Sequence, residues 1–387
     1  MDISNLMENV RAFFSEQYKG VENSNSFISF EPLGSMIDPA EFKDDSGLIS
    51  DIKATEQLSV LGDRLPRIEQ VFIPDTGRLS SGYETLVESA VFSGAKIKVA
   101  DKSIYIARFN AEKSEALQKL EEGKKASILV PEGTYLPVYS FPKKWYDSTG
   151  SFWVNKTFNS SSSSASANVE PPPPGRKPFL GWRTKLPDIA PENDIAGLPH
   201  RLTQSNVEAV IRPMRAFPKL DDGGLDMQDL NNLRLADRLD RIRELVDNDT
   251  THVATVQSNA FTMSFDYCLV YLERPWFNTS LFSYANIWYN LSLKESFFSN
   301  GVKDASNKGI LKCFSRAMIL IKNLKVTAAW TEQDKANAQN SIGLGVFNLN
   351  NSQFVNNELI TPGMQIIGWM CEVLPMLPVQ GDPNFIS

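Results

Sequence analysis

Residues 159–178 read NSSSSSASANVEPPPPGRKP, and no other stretch limits so strongly what this 387-residue chain can build. Five consecutive serines offer no apolar surface to bury, and four consecutive prolines favour an extended polyproline II segment. A packed core does not continue through such a composition. The sequence therefore predicts an N-terminal domain over 1–158, a linker or exposed loop over 159–178, and a C-terminal domain over 179–387. Length agrees, because a typical domain takes roughly 100–200 residues.

The first half reads as a small mixed α+β unit. Ser81-Gly82-Tyr83-Glu84 has the form of a capping box, and Tyr83, Leu86, Val87, Ala90 and Val91 then share one helical face. Residues 96–99 and 103–109 read as a β-hairpin, followed by a helix from Asn110 to Glu122 that Gly123 stops. Ser127 to Val130 reads as a strand ended by Pro131. No regular strand–helix–strand repeat accompanies these elements, which sets the fold class as α+β.

The second half carries one long amphipathic helix, expected over 226–246, with Leu230, Leu233, Ala236, Leu239, Ile242 and Val246 at helical spacing. The rest reads as mostly antiparallel sheet. Phe261, Met263, Phe265, Tyr267, Leu269 and Tyr271 alternate with Thr262, Ser264, Asp266 and Cys268, the period of a half-buried strand. Met318 to Trp330 continues that pattern. Residues 363–378 (GMQIIGWMCEVLPMLP) are apolar on nearly both faces, which places that strand in the middle of the sheet.

Chemistry is narrowed by what the chain lacks. His200 and His252 are the only histidines, with no HExxH and no Cys-x-x-Cys, so neither a zinc site nor a histidine-based triad is expected. No metal and no cofactor are expected. Glu122-Gly123-Lys124-Lys125 lacks the remaining residues of a phosphate loop, and Gly343-Leu344-Gly345 lacks the third glycine of a dinucleotide fingerprint. The acidic run Asp221–Asp226 does not have the ligand register of a calcium loop. A net charge of −7 argues against a nucleic-acid partner. The three cysteines, Cys268, Cys313 and Cys371, are widely spaced and suggest no disulfide framework. The N-terminus has no basic segment followed by an apolar one, so synthesis in the cytoplasm is expected.

Two apolar features remain as candidate interaction elements. The N-terminus places Ile3, Leu6, Met7, Val10, Phe13 and Phe14 on one side of a helix. Residues 274–298 concentrate Trp276, Phe277, Phe282, Tyr284, Trp288, Tyr289, Phe297 and Phe298, a density that suits a binding surface or the lid of a sheet. Leu6, Val10, Phe13, Phe14, Trp276, Phe277, Trp288 and Tyr289 are thus the interaction candidates. The sequence favours a non-catalytic, protein-binding or self-assembling protein whose partner is protein, most simply another copy. A pore-forming or membrane-binding toxin released without a signal peptide is the alternative, and would need a long alternating hairpin, for which 253–272 is the candidate. A hydrolase built on paired carboxylates is the second alternative.

Overall fold

A computed structural model describes residues 9–16, 25–92, 102–131, 133–159, 234–248, 261–282, 288–290, 293–339 and 343–379. Its centre is a seven-stranded, wholly antiparallel sheet. In chain order the strands are β1 (Ser26–Ile37), β2 (Tyr139–Phe141), β3 (Val154–Asn159), β4 (Phe261–Glu273), β5 (Cys313–Ala328), β6 (Gln353–Val355) and β7 (Glu358–Val373). The three long strands lie side by side as β7–β5–β4. Beyond β7 come β1 and β6, and beyond β4 come β2 and β3.

Both faces of the sheet are covered. On one, Val270 and Leu272 of β4, Met318 and Leu320 of β5, and Ile366 and Trp369 of β7 meet a helical layer. That layer comprises α2 (Asp51–Gly62), α3 (Leu79–Ser89), α4 (Lys102–Lys125) and α5 (Leu235–Asn248). On the other face, Met263, Phe265, Ile319, Ile321, Ile367 and Met370 are capped by helix α1 (residues 9–16) and by Trp330, Phe347 and Leu349. Helix α6 (Glu332–Gln339) adds Ala338 there. Burial on two faces explains why the β7 sequence is continuously apolar instead of alternating. It also explains Cys268, Val270 and Leu272, the buried counterparts of the alternating aromatics in β4.

Several local expectations are corrected by tertiary packing. Residues 103–109 belong to helix α4 and form no hairpin strand. The helix is held by Phe109, Ala116 and Leu120 at helical spacing, while the alternating Ile104 and Ile106 that suggested a strand face solvent. Gly123 does not stop this helix, which runs on to Lys125. A Cβ at position 123 would lie 2.6 Å from the Cβ of Trp276, so the glycine permits a close helix contact. The Ser81–Glu84 box falls inside α3, whose first turn is capped from 17 residues upstream. Asp63 accepts from the Ser80 amide (2.7 Å) and hydroxyl (2.8 Å).

The expected division at 159–178 separates neither a sheet nor a core. Strands β1, β2 and β3 precede that segment, β4 to β7 follow it, and all seven share one hydrogen-bonded sheet. Helices from both sides fill the same apolar cluster. Within the N-terminal 158 residues two short pairings close on themselves, Arg64–Pro66 with Pro74–Arg78 and Ile128–Val130 with Gly133–Tyr135, but β1 needs β7, and β2 and β3 need β4. Residues 159–178 themselves, beyond Asn159, lie outside the described residues, as do His200, His252, the Asp221–Asp226 run and the first part of the expected 226–246 helix.

Candidate functional site

The densest polar chemistry in the described residues is buried between α5, β1 and the short strand Arg64–Pro66. Glu31 stands in the middle of β1, where the strand would otherwise present apolar side chains, and Arg243 follows Leu235 and Leu239 at four-residue steps along α5. Both side chains therefore point into the core, and each needs a partner there. Arg243 supplies it by donating Nε to Glu31 Oε2 (2.9 Å) and an Nη to Oε1 (2.6 Å). Its remaining Nη reaches Asp240 Oδ1 at 2.7 Å. Arg64 then grips Asp240 with both of its Nη atoms, at 2.7 and 2.5 Å. The Trp369 indole N–H donates to Glu31 as well. The Arg243 guanidinium lies 4.5 Å above the Phe72 ring, and Phe72 in turn meets Trp369 at 5.2 Å.

Two carboxylates and two guanidinium groups balance the formal charge of this cluster. Burial works against the charge on Arg243, but Glu31 and Asp240 more than offset it and raise its pKa. Arg64 responds in the opposite direction, lowered chiefly by burial despite Asp240. The cluster thus ties α5, which lies after residues 159–178 in the chain, to β1, which lies before them. Neither carboxylate offers open lone pairs in the way a general base in a cleft does, since each is held by at least two donors. A second buried set lies nearby. Arg274 donates to the Gly62 carbonyl (2.9 and 2.8 Å) and to Ser315 Oγ (3.2 Å), and burial lowers its pKa to about 10. Asp63 is raised to about 6 by burial, against the pull of the Ser80 donors, Arg78 and Arg274.

The interaction candidates fall into the chain's own core wherever they are described. Val10 and Phe14 are fully buried, and Phe14 stacks on Phe265 with centroids 6.4 Å apart and planes 8° apart. Phe13 sets its edge against Phe158 and Tyr267 (5.6 and 5.3 Å). Arg11 fastens the helix further by donating to the Ile28 carbonyl at 3.1 Å. On the opposite face of the sheet, Trp276 is buried with its indole N–H on the Pro137 carbonyl (2.9 Å). Phe277 wedges between Tyr83 and Phe314. The two groups are therefore not brought together, and the apolar surface that suggested a partner is filled by the chain itself. Leu6 and the side chains of Trp288 and Tyr289 lie outside the described residues.

Solvent-facing apolar surface occurs elsewhere, at a place the sequence patterns did not single out. Leu48 is 68% exposed, Ile49 52% and Ile52 70%, three aliphatic side chains within five positions. Leu48 and Ile49 sit on a braced turn, and Ile52 lies in the first turn of α2, which follows it. Asp44 Oδ1 accepts from the amides of Ser46 (2.9 Å) and Leu48 (3.1 Å) and from the Ser46 hydroxyl (2.5 Å), which depresses the Asp44 pKa. Gly47 takes φ +79°, a conformation that favours glycine. The Ser50 amide bonds the Phe42 carbonyl (2.7 Å), and buried Phe42 stacks on Tyr146 at 4.7 Å.

Among the described residues there is no group of three or more potential metal ligands, and Cys268, Cys313 and Cys371 are all free and buried. No described helix is long and apolar enough to cross a membrane. No protein-family model, curated protein or solved structure matches the chain.

Proposed function

We propose that the chain is a non-catalytic protein-binding protein whose simplest partner is another copy of itself. The observation that carries this reading is the rigid turn at 43–52 with Leu48, Ile49 and Ile52 held in solvent. Single exposed aliphatics are ordinary on protein surfaces, whereas two on a turn fixed by its own hydrogen bonds and a third at the start of the next helix form a prepared apolar surface. A turn already held in place loses little conformational freedom when a partner covers it. Residues 38–53 also carry five carboxylates against two lysines, which disfavours nucleic acid and an anionic bilayer as the partner.

The alternatives make heavier demands on this fold. A pore-forming hairpin drawn from 253–272 would have to pull β4 out of the sheet, where it is hydrogen-bonded on both edges. A paired-acid hydrolase would have to recruit carboxylates other than Glu31 and Asp240, which already share Arg243. Light scattering across a range of concentrations, with and without anionic liposomes, tests the proposal. The expected result is a mass that rises above that of one chain with concentration, and intact liposomes. A single-chain mass throughout refutes self-association, and leakage caused by that single chain would favour the toxin reading.

A further inference from the structure

Resting on the self-association reading but on a different surface, we infer that the sheet face beneath α1 is a helix-docking groove that also accepts the α1 of a second copy. The structure shows what fits this groove, because the chain's own α1 fills it. Val10 and Phe14 are fully buried there. The floor is aromatic. Phe265 lies nearly parallel to Phe14, and Tyr267 meets Phe14 (5.4 Å) and Phe13 (5.3 Å) edge to face. Phe158 packs against Phe13 from the neighbouring strand β3. Polar groups fix the position of the helix along this floor. Arg11 donates to the Ile28 carbonyl, and its guanidinium lies 4.9 Å from the centroid of the Phe30 ring. The Lys156 amine stands 4.5 Å from the centroid of Phe13.

The way α1 is attached makes it separable from the sheet. Its ties run through the side chains of Val10, Arg11, Phe13 and Phe14, and among the described residues no backbone hydrogen bond joins it to a strand. It can leave its seat without breaking any strand pairing, whereas β4, β5 and β7 are each laddered on both edges. An element near a chain end that is held only by side chains opens at a lower free energy than the strands of a core. Positions 17–24 separate α1 from Asn25, a tether that spans at most about 30 Å when extended. An α1 that swings out on this tether reaches the seat of an adjoining copy. When two copies exchange, each groove is refilled by the same side chains on the same aromatic floor, so no apolar contact is lost. Exchange of an identical element is for that reason an accessible route to a dimer.

Photo-crosslinking between full-length chains tests the inference. One preparation carries benzoylphenylalanine in place of the half-buried Phe13 and a heavy-nitrogen label, and the other is the unlabelled parent. After mixing and irradiation, crosslinks from position 13 to β3 and β4, around Lys156 and Tyr267, are expected both within one chain and between a heavy and a light chain. Adding Phe14→Asp to the heavy chain puts a carboxylate against the aromatic floor and should lower the yield of mixed crosslinks at least about tenfold. The reverse placement, with the probe at Lys156 and its crosslinks sought in α1, covers the case in which a label at position 13 disturbs the seat. Crosslinks found only within single chains, or mixed crosslinks that land outside β3 and β4, overturn the exchange. If the mass of the parent still rises with concentration in that case, the self-association reading stands on another surface. A parent that keeps a single-chain mass throughout overturns both.

Discussion

Replacing Arg243 with Met should be among the most damaging single changes in the chain, and the structure gives the size of the effect. The substitution keeps a similar length and apolar stem but deletes the two hydrogen bonds to Glu31 and the one to Asp240. Asp240 keeps its two-point contact with Arg64. Glu31, buried in β1, keeps only the Trp369 N–H. Breaking a buried ion pair from one side costs about 3–5 kcal/mol, because the remaining charge is stranded. That is a large share of the roughly 5–15 kcal/mol by which folded proteins are stable. Glu31→Leu should cost a similar amount for the mirror reason. The double variant leaves a neutral Arg64–Asp240 pair and one orphaned indole N–H, a residual cost of about 1–3 kcal/mol. A double-mutant cycle by urea unfolding should therefore show a strongly non-additive pair, with the double variant more stable than either single. Additive losses, or a loss below about 1 kcal/mol for Arg243→Met, would mean that the cluster is open to water and that α5 is held by other contacts.

Two further outcomes follow from the interior. Asp63 binds a proton more tightly in the folded chain (about 6) than at its ordinary 3.8. The stability it contributes is therefore full below about pH 4 and lost as pH rises through 6, by about 3 kcal/mol. Asp63→Asn keeps an oxygen for the Ser80 amide but has no charge to titrate, so the stability difference between parent and variant should shift by that amount between pH 4 and pH 7; equal pH profiles would contradict it. Introducing a sequence-specific protease site between residues 160 and 178 and cutting there should leave two fragments that co-elute in native buffer and separate only in denaturant. Fragments that part as two independently folded pieces would restore the division at 159–178 and contradict the shared sheet.

The parts of this fold legible in the sequence are those with a strong local period. The alternation in β4 and the unbroken apolar run of β7 each identified a strand and its place, because burial on one or two faces writes itself directly into successive residues. The second strand of the hairpin expected over 96–99 and 103–109 failed because Ile104 and Ile106 alternate over too short a window to distinguish strand from helix, and 96–99 lies outside the described residues. What decides for helix is Phe109, Ala116, Leu120 and the contact of Gly123 with Trp276, a residue in the turn after β4. Long-range pairings were illegible for the same reason: Glu31 and Trp369 are 338 positions apart. The buried cluster did leave a trace. Arg243 continues the stripe of Leu235 and Leu239, and a charge on a core-facing stripe requires a buried partner. The exposed turn left none, since Leu48, Ile49 and Ile52 have no periodicity, and their exposure is a property of the folded surface.

The same topology that runs one sheet through strands on both sides of residues 159–178 also explains where the aromatic-rich segments lie. The long strands β7, β5 and β4 each have neighbours on both sides, and their two faces need a cover of large apolar groups. Helix α1 on one face and Trp276 with Phe277 on the other supply that cover, so their apolar area is spent inside the chain. Strand β2 is three residues long and lies at the sheet's edge, where no further strand covers Tyr139 and Phe141 among the described residues. Short edge strands followed by lysine and proline resist uncontrolled strand addition, and Pro142, Lys143 and Lys144 have that character here. Aromatic and basic side chains are therefore what this edge offers to solvent.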